Sequence, residues 1–82
     1  MRNKILSVEM IPFANPEKMQ KDLQQITDIR FNTRSGVYKG VKYVSLFNFF
    51  IGQSVDIFEN ELLKVTILKD PKGIKYYELE RF

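Results

Sequence analysis

The pattern of apolar and polar positions changes its period along the chain, and each change marks an element. Residues 4–11 (Lys-Ile-Leu-Ser-Val-Glu-Met-Ile) alternate imperfectly, with Ile5 and Val8 as anchors. They read as an edge strand or an extended lead-in, stopped by Pro12, which has no N–H to donate. Asn15-Pro16-Glu17 is a helix start. Asn15 suits the N-cap, Pro16 the first helical position, and Glu17 the positive end of the helix dipole. Met19, Leu23 and Ile26 follow at i, i+4 and i+7, a narrow apolar stripe expected to pack on the rest of the domain. The helix is expected over residues 17–26, ending by Thr27-Asp28.

From Ile29 the period becomes two. Ile29, Phe31 and Thr33 point one way, Arg30 and Asn32 the other, and Arg34-Ser35-Gly36 is expected to turn the chain. Val37-Tyr38 and residues 41–46 flank Lys39-Gly40, which looks like a two-residue hairpin loop. Phe47-Asn48-Phe49-Phe50-Ile51 is the most apolar stretch, and exposing all of it on a monomer would invite association. Phe50 and Ile51 are therefore expected to plug the barrel end before a turn at Gly52, leaving one ring, Phe47 or Phe49, at the surface. Val55 and Ile57 alternate with Asp56, residues 59–61 form a polar turn, and Leu63, Val65 and Ile67 alternate with Lys64 and Thr66. Asp70-Pro71-Lys72-Gly73 is a strong turn signal, residues 74–79 close the sheet, and residues 80–82 trail off.

Short β-branched and aromatic runs punctuated by glycine at intervals of roughly ten residues indicate a small curled antiparallel sheet. The fold class expected is mainly β (α+β): a small antiparallel β-barrel of five to six strands with one N-terminal α-helix. Its 82 residues make a single domain, with 1–28 as lead-in strand and helix and 29–82 as barrel. At that length only about 60% of the unfolded surface is buried.

Composition narrows the function. The chain has no cysteine and no histidine. Disulfides, thiolate metal sites, the commonest general base and the usual metal ligand are thereby excluded. No nucleophile–base pair or phosphate-binding glycine loop is present. The carboxylates Asp56, Glu59, Glu61 and Asp70 are expected at strand ends and turns, with no spacing that makes them converge. Catalytic residues, metal ligands and cofactors are accordingly expected to be none. No apolar run reaches the roughly 18–20 residues of a membrane span, so no membrane partner is expected and the default location is cytoplasmic.

Charge adds a direction. The net charge is +3, but residues 29–55 hold Arg30, Arg34, Lys39 and Lys42 and no acid. Such a patch attracts an acidic polymer or is simply a solvated hairpin face. The four tyrosines and seven phenylalanines have faces on which bases stack, although a small sheet without tryptophan is expected to bury most of its rings.

Residues 36–79 resemble the C-terminal β-barrel of Mu-type transposases. The resemblance is carried by Gly36-Val37, Lys39-Gly40, Tyr43, Ile51-Gly52, Val55, the 59–61 turn, Val65, Ile67 and Gly73. The family's Asp-Pro-rich loop after the Val strand is replaced here by Phe58-Glu59-Asn60-Glu61. In that family the catalytic carboxylates lie in a separate domain, and the barrel makes nonspecific DNA contacts and contacts with other transposase subunits. The resemblance therefore implies a non-catalytic accessory domain acting in transposition or integration, whose partner is the phosphate backbone of duplex DNA. Its contacts would be Arg30, Arg34, Lys39 and Lys42, with Lys72 and Lys75 as outer candidates. The alternative is a small phage or mobile-element interaction module that blocks a host protein through the 47–51 segment or an open strand edge.

Overall fold

The computed structural model describes residues 3–82. Its elements run β1 (Lys4–Pro12), α1 (Pro16–Thr27), β2 (Asn32–Tyr38), β3 (Val41–Asn48), β4 (Gln53–Phe58), β5 (Leu62–Lys69) and β6 (Lys75–Arg81). The fold is mainly β: six strands in two three-stranded antiparallel sheets, ordered β1-β5-β6 and β2-β3-β4, with one helix.

The helix begins as its sequence dictates. The Asn15 side chain accepts from the Lys18 N–H at 2.9 Å, and Pro16 occupies the first turn. At the other end Asp28 takes a left-handed conformation, φ 60°, and its N–H reaches the Gln24 carbonyl at 2.7 Å. Thr27 is buried there; its hydroxyl donates to the Leu23 carbonyl and accepts from the Ile29 N–H. That pairing removes the desolvation cost of a buried hydroxyl.

The period-two strands place their aliphatic side chains on one side. Val44 and Leu46 of β3 face Ile57 and Val55 of β4, while Leu63 and Val65 of β5 supply the other sheet's inner row. Met19, Leu23, Phe31 and Ile11 complete the core, and α1 packs on β1, β2 and β3. The two sheets meet where β4 runs beside β6, and the Gln53 amide donates to the Tyr77 carbonyl at 2.6 Å across that seam. The molecule is elongated, 44 × 22 × 19 Å, and the far half of the β1-β5-β6 sheet lies outside the main core cluster, which holds Ile11, Leu63 and Val65 but not Ile67 or Leu68. There Ile5, Leu6, Val8 and Met10 are all exposed.

Several expectations are corrected. β1 is an edge strand, but its anchor is Ile11; Ile5 and Val8 point to solvent, beside a register shift between Ile5 and Ser7. Residues 29–31 do not join β2, which begins at Asn32. Arg34-Ser35-Gly36 is no turn: the three residues lie inside β2, opposite Ser45, Val44 and Tyr43. β6 starts at Lys75 instead of residue 74, and residues 80–82 do not trail off. Glu80 and Arg81 stay in the strand, and Phe82 exchanges two backbone hydrogen bonds with Leu62. The turns at Lys39-Gly40, Gly52 and Gly73 do form, each with a positive-φ glycine. Lys39 also has φ 50°, so the β2–β3 loop has left-handed residues at both central positions, the geometry that matches strand twist.

Burial of the helical stripe fixes the first expected outcome. Leu23 is fully enclosed by both sheets and the helix. Leu23→Ala should lower stability by roughly 2–5 kcal/mol, read from the denaturant midpoint. An unmoved midpoint would contradict this packing.

Candidate nucleic-acid interface

Because β2, β3 and β4 turn one face to the core, the other is open to solvent. Strand alternation places Asn32, Arg34, Gly36 and Tyr38 of β2 on that open face, with Tyr43, Ser45 and Phe47 of β3 and Ser54, Asp56 and Phe58 of β4. They form three rows across the strands. Gly36–Tyr43–Phe58 is aromatic, Arg34–Ser45–Asp56 is polar, and Asn32–Phe47–Ser54 is again centred on a ring. Adjacent rows are two residues apart, about 7 Å.

Gly36 explains how the first row is built. A Cβ at this position would lie 2.6–2.8 Å from the Tyr43 hydroxyl and ring. The tyrosine therefore lies flat across the glycine and meets Phe58 with ring centroids 5.5 Å apart. The glycine is required for contact inside a strand, not for a turn. In the polar row the Ser45 hydroxyl donates to the Asp56 carboxylate. Asp56 thus sits mid-strand, correcting its expected place at a strand end.

The third row continues into the β3–β4 turn. Phe47 and Phe49 have centroids 5.2 Å apart, Phe49 is 82% exposed, and Phe50 is 100% exposed. Phe50 and Ile51 do not plug the interior, since Val44, Leu46, Val55 and Ile57 already fill it. Asn48 holds this turn: its amide donates to the Arg30 carbonyl at 2.9 Å and its carbonyl oxygen accepts from the Ile51 N–H at 3.1 Å. The same side chain thereby fixes Arg30 beside Phe49 and Phe50. A cleft of about 420 Å³ opens between Arg34, Phe47, Phe49, Gln53 and Asp56.

The six basic residues expected to act together divide into separate places. Arg34 lies on the open face, Arg30 at its turn end, and Lys39 at the opposite hairpin tip, 5.4 Å from the Tyr38 ring centroid. Lys42 projects from the other face of β3, lining a second cleft with Phe13, Ala14 and Pro16. Lys72 and Lys75 belong to the β5–β6 turn and β6, in the other sheet. None of these six makes an ion pair among the described residues. The acid-free window ends at residue 55, and strand pairing brings Asp56, the next residue, into the row of Arg34.

Of the rings expected in the core, only Phe31 is buried; Phe13, Tyr43, Phe47, Phe58, Tyr76 and Tyr77 are half-buried, and Tyr38, Phe49, Phe50 and Phe82 are exposed. Asn48, Ser45 and Asp56 are the site residues that sequence reasoning missed. The signal for Asn48 was its place before a short apolar run closed by Gly52, a turn whose apolar residues need not be buried. Among the described residues no group of three or more acids could hold a metal ion, and no helix is long and apolar enough to cross a membrane.

The Gly36–Tyr43 contact yields a direct check. Gly36→Ala should cost about 1–3 kcal/mol by overpacking, and most of that cost should vanish in a Tyr43→Ala background. Equal costs in both backgrounds, measured by denaturant unfolding, would refute the contact.

Compared with protein-family models, with curated proteins and with solved structures, the chain matches none.

Proposed function

We propose that the chain is a non-catalytic DNA-binding module acting in the cytoplasm, and that it holds DNA on the open face of the β2-β3-β4 sheet. The observation that carries the reading is the juxtaposition of Arg30 and Arg34, without ion-pair partners among the described residues, with the half-buried ring of Phe47 and the exposed rings of Phe49 and Phe50. Guanidinium groups neutralise phosphates, and such contacts position a protein without reading sequence. Lys39, at the hairpin tip, extends the positive track. Lys42, Lys72 and Lys75 lie on other faces and are assigned no central part. The setting in a Mu-type transposase, with other subunits of that complex as partners, rests on the residue pattern that begins at Gly36 and ends at Gly73.

A second reading has its own support. β1 is an open sheet edge carrying exposed Ile5, Val8 and Met10. Unpaired backbone groups beside apolar side chains suit addition of a strand from another protein. A mobile-element protein that blocks a host factor would use that edge or the Phe49–Phe50 turn.

The two readings separate in solution. A labelled 20-nucleotide DNA, offered as duplex and as single strand, should bind with log affinity falling against log salt at a slope of about −2 to −3, three phosphates being neutralised. Arg30, Arg34 and Lys39 changed together to serine should remove most binding, whereas Lys72→Ser with Lys75→Ser should leave it. Absence of binding to both forms at low salt would overturn the DNA reading in favour of the strand-edge one. An unaltered slope in the triple variant would place the DNA elsewhere.

A further inference from the structure

We infer that the preferred ligand of the open β2-β3-β4 face is single-stranded DNA, with unpaired bases stacked on Phe47 and Phe49 and on Tyr43. The inference rests on the DNA-binding reading and adds which form of DNA the face takes. Three features of the face carry it.

The first is the kind of surface presented. A duplex shows a protein its phosphates and groove edges, so a duplex-binding face needs cations and polar groups, not open aromatic rings. Here the rings alternate with polar residues: Phe49 is exposed, and Tyr43 and Phe47 stand half-buried on the side of the sheet turned away from Val44 and Leu46. Base–aromatic stacking tolerates any sequence, since every base has a π-face.

The second is spacing. Tyr43 and Phe47 are four residues apart on one strand, about 13 Å, with the Arg34 row between them. Two stacking positions separated by a cation suit an extended strand, whose phosphates and bases project in turn. Tyr43 is held flat by Gly36, and Asn48 fixes the turn carrying Phe49. Both platforms are therefore set before the ligand arrives.

The third is Asp56. A carboxylate at the centre of a face that bound only phosphates would oppose them. In the 420 Å³ cleft it instead lies opposite Arg34, held by Ser45, where an acceptor can take an N–H from a base edge. The backbone then runs along the Arg30 and Arg34 side and the base turns toward β4. Bases with an exocyclic amino group are favoured over thymine in that cleft.

Fluorescence anisotropy with labelled dC20, dT20 and a mixed-sequence 20-base-pair duplex tests this on the full chain, at one salt concentration. The expected order is dC20 tightest, dT20 next and duplex weakest, the duplex at least about ten-fold below dC20. Phe47→Ala with Phe49→Ser should weaken single-strand binding by about ten-fold or more, the effect of one or two lost stacking contacts. Phe49→Trp, at a position exposed enough to accept the larger ring, supplies a second readout: its emission should be quenched by dC20. Asp56→Asn should erase the preference for dC20 over dT20, whereas a merely repulsive Asp56 would show equal tightening for both.

Duplex binding as tight as single-strand binding, with the tryptophan unquenched, would overturn this inference and leave the DNA-binding reading in place. Binding to none of the three would overturn both. Tighter binding of an RNA strand than of DNA of the same sequence would overturn the choice of DNA.

Discussion

An aliphatic interior shared by one helix and two small sheets determines how the rest of the molecule is arranged. Met19 and Leu23 reach it from α1, Val44 and Leu46 from β3, Val55 and Ile57 from β4, and Leu63 and Val65 from β5. A chain of 82 residues has little interior to fill, and these side chains with Ile11 and one buried ring, Phe31, fill it. Since neighbours along a strand face opposite ways, burying Val44 and Leu46 obliges Tyr43 and Phe47 to stand on the outer side. The half-buried rings of the outer face follow from how the core is packed.

That geometry also shows which parts of the fold were legible in the sequence. Local chemistry was readable: Asn15-Pro16 starts the helix, Asp28 follows its end, and Lys39-Gly40, Gly52 and Gly73 turn the chain. The alternation of Leu63, Val65 and Ile67 gave β5 and its buried face correctly. Non-local contacts were not readable. Gly36 has no special backbone need, and its reason lies seven residues on, in the ring of Tyr43. Phe50 and Ile51 are as hydrophobic as any core pair, and only the already filled interior explains why they remain outside. Ile5 and Val8 misled for a related reason, since their strand extends past the core that would have buried them.

The candidate site shows the same division. The basic residues were visible as a charge-rich segment, but sequence distance cannot say which side of a sheet each occupies. Arg34 and Lys42 are eight positions apart, yet they project from opposite faces. Asp56, just beyond the acid-free segment, is brought into the row of Arg34 by two strand pairings. The electrostatic surface is thus a cationic border, Arg30 and Arg34 with Lys39 at the far tip, around a centre that carries one carboxylate and several rings. A purely basic patch would attract polyanions without orienting them. A border of cations with an acceptor inside can favour one placement of backbone and base.

Mapping amide and aromatic NMR shifts on addition of a short single-stranded DNA tests the central claim, that the open face of the β2-β3-β4 sheet is the binding surface. The account predicts the largest changes at Arg34, Tyr43, Phe47, Asn48, Phe49 and Asp56, with β1 and the β5–β6 turn unmoved. Changes concentrated around Lys72 and Lys75, or along Ile5, Val8 and Met10 of the edge strand, would contradict it.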